Sequence, residues 1–165
     1  MPHDSRKTNF DFEAYARRVQ NGPCFVCSFV AGHPDYQHHT IYEDDDTVAF
    51  LNRYPTLLGY CLVAPKRHVE DWLEDLSEDE FLRFQAAVRR VARAVAATVP
   101  TERMYSMSLG SQQGNAHLHW HLAPLPPGVP YDKQQFHAVM AENGVLAIDP
   151  STLANLAHRI RSNAQ

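Results

Sequence analysis

The sequence predicts an α+β domain, an antiparallel sheet with helices packed on one side. Three observations carry that expectation. Two short strand-like segments flank an acidic turn early in the chain, a single long helical pattern follows, and a second pair of strand-like segments comes after it. Strands that neighbour strands, with the long helix set between the two pairs, indicate antiparallel pairing and not a βαβ alternation.

The chain has 165 residues, 44% hydrophobic and 21% charged, which is enough for one substantial core. Residues 1–9 are polar, and the expectation is a disordered tail followed by a single domain over 10–165. Asp11 to Val19 suits a short helix ended by Asn21-Gly22-Pro23. Ala31 to Asp35 reads as loop. Thr40 to Glu43 and Thr47 to Leu51 read as strands of a hairpin turned at Asp44-Asp45-Asp46. Leu58 to Ala64 reads as a buried strand stopped by Pro65. Ser77, with Glu80 three residues on, forms a capping box, after which Phe81, Phe84, Val88, Val91, Ala92, Val95 and Val99 recur at helical spacing until Pro100. Met104 to Leu109 reads as a strand, Gly110 to Ala116 as a polar loop, and His117 to Ala123 as a strand closed by the Pro-rich run to Pro130. Weaker helices are expected near Lys133 to Glu142 and Ser151 to Arg161.

Fifteen Lys and Arg against nineteen Asp and Glu leave a formal charge of −4. A protein that gains affinity by neutralising nucleic-acid phosphates needs a basic face, so no nucleic-acid partner is expected. The basic clusters at Arg17 and Arg18 and at Arg89, Arg90 and Arg93 read as solvated helix surface. No apolar run reaches the roughly 20 residues of a membrane span, and the N-terminus has no signal-peptide core, so the expected location is the cytoplasm. Three cysteines do not make a disulfide framework. Cys24 and Cys27 form a C-x-x-C, which in a reducing compartment points to metal or redox chemistry. Cys61 falls in an apolar strand and reads as packing.

His117-Leu118-His119-Trp120-His121-Leu122-Ala123 carries the chemistry. Alternation at period two places the three imidazoles on one strand face and Leu118, Trp120 and Leu122 on the other. Two readings stay open on these residues alone. Either the histidines chelate a catalytic zinc, since His-x-His on a strand is good ligand spacing, or one imidazole is a nucleophile whose neighbours bind phosphate. His33, His38 and His39 read as surface, His137 and His158 as partly exposed, and Trp72 and Trp120 as core or interface packing.

The run resembles the His-φ-His-φ-His-φ-φ signature, with φ apolar, of the histidine triad (HIT) superfamily of nucleotide hydrolases and transferases. Cys61 to His68 is similar to its strand with a Pro-Lys-x-His turn, and Ala49-Phe50-Leu51-Asn52-Arg53-Tyr54-Pro55 resembles its nucleoside-pocket strand. The resemblance covers roughly Cys24 to Pro124. It implies a five-stranded sheet, a homodimer and a nucleotide substrate, adenine or another purine. It implies that His119 attacks the α-phosphorus to give a nucleotidyl-histidine intermediate, and that His121 binds the phosphate or leaving group. Histidine at 121 favours hydrolysis, because transferase branches have Gln there. Asn52 is expected at the ribose, and Gln113 and Ser108 near the phosphates, although Ser108 stands where Asn or Gln is usual. By the same resemblance Cys24, Cys27, His68 and His117 form a structural zinc site, and no organic cofactor is implied.

The expected function is therefore hydrolysis of a nucleoside phosphate derivative, a dinucleoside polyphosphate such as diadenosine tetraphosphate first. A nucleoside phosphoramidase of the same fold is the alternative within the class. A zinc-dependent metallohydrolase and a nucleotide-binding module with little turnover are the alternatives outside it.

Overall fold

A computed structural model of the chain describes residues 6–165; positions 1–5 of the expected tail lie outside the described residues. The main sheet has five antiparallel strands, β2 (Thr40–Glu43), β3 (Thr47–Leu51), β4 (Cys61–Pro65), β5 (Arg103–Ser108) and β6 (Trp120–Leu125), in spatial order β2-β3-β4-β6-β5. A second, two-stranded sheet pairs β1 (Lys7–Thr8) with β7 (Val145–Leu146). Lys7 and Thr8 therefore correct the reading of residues 1–9 as a disordered tail.

The hairpin between β2 and β3 closes on Asp44, whose carboxylate accepts the N–H groups of Asp46 and Thr47 at 3.0 and 2.7 Å. That is side-chain turn chemistry, which explains the acidic tip without a ligand. β4 starts at Cys61, three residues later than expected. Gly59 turns the chain with φ +87°, and a Cβ there would lie 3.1 Å from Val99. β6 starts at Trp120 and not at His117. Its ladder with β4 begins at Val63↔Trp120, while the Leu118 N–H donates to the Val69 carbonyl at 2.7 Å. His117 and His119 thus precede the regular strand, and only His121 lies within it.

Five α-helices accompany the sheets: α1 (Phe12–Asn21), α2 (Phe25–Val30), α3 (Glu78–Thr98), α4 (Phe136–Val139) and α5 (Pro150–Asn163). Asp11 caps α1 from outside, accepting the Ala14 N–H at 2.9 Å. α3 has the expected capping box, with both Ser77–Glu80 hydrogen bonds present, a device worth about 1 kcal/mol. The helix expected over Lys133 to Glu142 shrinks to α4, flanked by 3₁₀ turns at Tyr131–Lys133 and Ala141–Asn143. α2 overlaps the C-x-x-C motif, with Cys24 as its N-cap and Cys27 in its first turn, and escaped the periodicity because it is only six residues long.

Two cores result. On one face Phe84, Val88, Val91 and Val95 of α3 and Leu156 and Ile160 of α5 pack on Ala49, Leu51, Cys61, Val63 and Leu122. On the other, Phe25 and Phe29 of α2 and Ala138 of α4 pack around Val48, Phe50, Leu62, Ala123 and Leu125. Helices cover parts of both faces, which corrects the one-sided expectation. β3 and β4 are buried along their whole length and apolar at every position except Thr47, so both of their faces demand cover. Each fully buried Val, Leu or Phe contributes about 1.5–3 kcal/mol. Among the described residues, no helix is long and apolar enough to cross a membrane.

Candidate functional site

The sheet face carrying α2 and α4 opens into a cleft of about 1120 Å³ with His119 and His121 among its lining residues. His119 is almost fully buried, and its Nδ1 lies 2.7 Å from the carbonyl of His117. A carbonyl only accepts, so Nδ1 carries the proton and Nε2 holds the free lone pair. The Phe25 ring stands edge-on to the imidazole at 5.6 Å, and the His121 ring lies 4.8 Å away. Burial lowers the His119 pKa, against the opposing pull of the His117 carbonyl. The product is a neutral imidazole, oriented by backbone, with one nitrogen available to a ligand.

His121 sits opposite Leu62 of β4 and Met107 of β5. Its Nδ1 lies 3.0 Å from the Tyr60 hydroxyl. Burial raises the Tyr60 pKa, so the phenol stays protonated and donates. His121 Nδ1 is then the acceptor and Nε2 bears the hydrogen. Burial, and then the neighbouring His119, push the His121 pKa down to about 3, with the Leu109 carbonyl acting in the opposite sense. Tyr60 is a functional neighbour that the sequence reading missed. It precedes β4 in a segment that reads as plain buried strand.

The other expected substrate residues divide. Asn52 lines the cleft, and its Oδ1 accepts the Tyr54 N–H at 2.9 Å, which leaves the Nδ2 amide for a ligand. Ser108 is absent from the lining. Its hydroxyl donates to the His119 carbonyl at 3.0 Å, so it holds the His119 backbone. Gln113 is exposed at the tip of the polar loop, where its N–H bonds the Ser111 hydroxyl, and it does not line the cleft either. The loop contributes Gly110, Ser111, Gly114 and Asn115 instead. Asn115 adopts φ 58° and donates from Nδ2 to the Tyr15 hydroxyl at 2.7 Å, tying α1 to the loop. Such a left-handed residue is one that Asn tolerates better than most.

His38 corrects its reading as surface. Its ring packs against Phe50 at 4.6 Å and Phe29 at 5.2 Å, and burial, then Arg53, lowers its pKa to about 4. With Phe25 these rings form a packed aromatic cluster next to His119, in which Phe25 and His38 line the cleft as its aromatic slot and Phe29 and Phe50 back them.

His117 turns away from the other two histidines. Its Nε2 donates to the Pro65 carbonyl at 2.8 Å, so Nδ1 is the bare nitrogen. That Nδ1 lies 3.4 Å from Cys24 Sγ, 3.6 Å from Cys27 Sγ and 3.1 Å from His68 Nδ1, while Cys27 Sγ and His68 Nδ1 are 3.3 Å apart. All four donor atoms lie within 4.8 Å of one another. A tetrahedral zinc with usual bond lengths spaces S and N ligands by about 3.6 Å and two N ligands by about 3.3 Å, so this donor set fits the ion. The outer partners fit as well: the Pro65 carbonyl orients His117, and the Glu70 carboxylate lies 3.1 Å from His68 Nε2. Burial, and then Cys24, raises the Cys27 pKa, so a thiolate at Cys27 calls for a cation beside it. Cys61, by contrast, is buried in the core as expected.

A family model described as the HIT domain matches residues 33–127. An uncharacterized HIT-like protein of Saccharolobus solfataricus is 32% identical over 104 residues, 61% of this chain and 73% of the relative. An uncharacterized HIT-like protein of Mycobacterium tuberculosis is 34% identical over 106 residues, 64% of this chain and 72% of the relative. Among solved structures, a hypothetical histidine triad nucleotide-binding protein from Sulfolobus tokodaii superposes with a TM-score of 0.68 at 25% identity, covering 86% of this chain and 91% of that one. A zinc-bound histidine triad family protein from Mycobacterium smegmatis shares the fold with a TM-score of 0.67 at 24% identity, covering 86% and 92%.

Proposed function

Since this chain belongs to the HIT domain family, we propose that it is a nucleotide hydrolase that cleaves at the α-phosphate of a nucleoside phosphate derivative through a nucleotidyl-His119 intermediate. The observation that carries this reading is the His119 ring itself, its Nδ1 proton committed to the His117 carbonyl and its Nε2 left free in a residue of the cleft. In the first step Nε2 bonds to the α-phosphorus as the bond from phosphorus to the leaving group breaks. The ring keeps its Nδ1 proton on the His117 carbonyl, which favours the positive charge that develops there. Water then attacks phosphorus, the P–N bond breaks, and a nucleoside monophosphate leaves with His119 restored.

His121 contributes an Nε2–H donor to the phosphate or leaving group, held in that tautomer by Tyr60. Loop N–H groups between Gly110 and Asn115 are the further candidates for phosphate donors. The cleft-lining rings of Phe25 and His38, backed by Phe29 and Phe50, suit a purine, and Asn52 Nδ2 suits a ribose hydroxyl. A cleft of about 1120 Å³ exceeds the roughly 300–1,000 Å³ of ordinary small-ligand sites. That size supports a large substrate such as diadenosine tetraphosphate.

Cys24, Cys27, His68 and His117 would hold zinc as a closed structural site. The ion would supply a cross-link between α2, the turn after β4 and the segment entering β6. Because His117 takes part in that cluster and its carbonyl holds His119, nucleophile geometry depends on it. The four-ligand set also favours the nucleophile over a metallohydrolase, which needs an open coordination position. Trp72, stacked on Phe81 beside Trp120, leaves an exposed apolar patch with Leu73 and Leu82, which supports the homodimer reading.

The test is mass spectrometry of the protein incubated with diadenosine tetraphosphate or adenosine phosphoramidate, under chelation mild enough to leave the circular dichroism unchanged. A nucleotidyl adduct or AMP release that survives chelation is expected, and the better substrate assigns the leaving group. Activity that vanishes with chelator in a protein whose His119→Asn variant turns over normally would move the assignment to a metallohydrolase.

Tyr60→Phe provides a separate check. It keeps the ring packing but removes the donor to His121, so kcat should fall about tenfold, the worth of one buried hydrogen bond, with KM little changed. Histidine ¹⁵N shifts should show His121 losing its single tautomer. An unaltered kcat would remove Tyr60 from the mechanism.

A further inference from the structure

The cleft has a basic corner away from its histidine floor. Arg18, on α1, places its guanidinium 5.7 Å from the centre of the Tyr54 ring, and Arg53 directly follows Asn52. Both residues line the cleft. Neither makes a salt bridge among the described residues, although Asp35 and Glu142 line the same cleft. Both guanidiniums act on His38, in the aromatic slot, through space. Neither contributes to the shifts of His119 or His121. The positive charge therefore gathers at the slot and Asn52, not at the reacting phosphorus. Nearby, the Thr56 hydroxyl is 2% exposed, belongs to the cleft lining and has no hydrogen-bond partner. A buried unsatisfied hydroxyl in a ligand cleft marks a place where a polar ligand group completes the bonding.

A nucleotide with its base in the slot and its α-phosphate at His119 places its ribose between them, beside Asn52. An anion attached to that ribose meets Arg18 and Arg53. Guanidinium forks match phosphate oxygens in pairs, and two arginines without salt bridges on the lining of one cleft are suited to a second phosphate. We propose that Arg18 and Arg53, with the Thr56 hydroxyl, form a subsite for a phosphate ester on the 2′ or 3′ position of the substrate's ribose. This rests on the reading of the cleft as a nucleotide site. Arg18 is exposed, as the sequence reading has it, and the subsite adds a ligand role to that surface position. The preferred substrates are then derivatives of adenosine bisphosphates, cleaved at the 5′ phosphorus.

Calorimetric titration of the whole protein at low ionic strength tests the subsite, with AMP, ADP, adenosine 2′,5′-bisphosphate and adenosine 3′,5′-bisphosphate as the probes. One of the bisphosphates should bind about tenfold more tightly than AMP, as expected for an added charge-assisted contact. ADP carries its extra charge on the 5′ chain and should not share the gain. In Arg18→Gln/Arg53→Gln, with folding checked by thermal melting, the ratio of bisphosphate to AMP affinity should fall toward one. Should the double variant misfold, the comparison of four ligands on the unaltered protein still decides. AMP binding with no gain from either bisphosphate overturns the subsite and leaves the nucleotide reading standing. A gain with ADP that equals the gain with the bisphosphates assigns the arginines to the 5′ chain and overturns it too. Binding of none of the four removes the nucleotide reading and the subsite together.

Discussion

His119→Asn is expected to fold normally and to lose turnover by about four orders of magnitude or more, the scale seen when an enzyme's nucleophile is removed. The amide is smaller than imidazole and keeps a donor for the His117 carbonyl, so the local backbone should hold. It has no lone pair nucleophilic enough to take phosphorus, and no covalent adduct should form with any nucleotide substrate. Binding of AMP should persist, because the slot of Phe25 and His38 and the loop from Gly110 to Asn115 are intact. Rapid-quench kinetics and intact-mass measurement read both results. Normal turnover by the variant would end the covalent mechanism, and normal turnover with an adduct on another histidine would transfer the role.

The second large effect concerns the metal cluster. Wild-type protein should carry one zinc per chain by elemental analysis, and Cys24→Ser/Cys27→Ser should carry none. Structural zinc contributes apparent binding energies of roughly 10–16 kcal/mol in small domains. Loss of even about 4 kcal/mol lowers Tm by about 10 °C or more in a chain of this size. The cluster is also where His117 is fixed, by Nε2 on the Pro65 carbonyl and Nδ1 toward the two sulfurs. Activity should therefore fall with stability, through displacement of the His117 carbonyl from His119 Nδ1. A variant with unchanged Tm and unchanged metal content would refute the zinc assignment.

Local pattern sufficed for much of this fold. Ser77 and Glu80 sit next to each other on one helical turn, so the start of α3 was readable without knowing what the helix packs against. The same holds for the β2–β3 hairpin, whose Asp44 turn is closed by groups two and three residues away. The Cys24, Cys27, His68 and His117 set was reached through the family resemblance, and the donor atoms do converge. Where the reading slipped, a distant partner was responsible. α4 came out shorter than its pattern because Gln135, just before it, takes φ 53° with its N–H on the distant Tyr105 hydroxyl. Ser108 was assigned to substrate, whereas its hydroxyl is engaged by a carbonyl eleven residues on.

What the sequence determined by itself is the chemistry available: three alternating histidines, a C-x-x-C and the apolar strands that hold them. What only the tertiary structure decided is which nitrogen of each ring is free. Period-two alternation treats His117, His119 and His121 alike. The Pro65 carbonyl, the His117 carbonyl and the Tyr60 hydroxyl then set them apart, and the roles we propose for them, metal ligand, nucleophile and donor, follow from that difference. An imidazole tautomer is set by the partner of one nitrogen, and two of these three partners, Pro65 and Tyr60, lie 52 and 61 residues away along the chain.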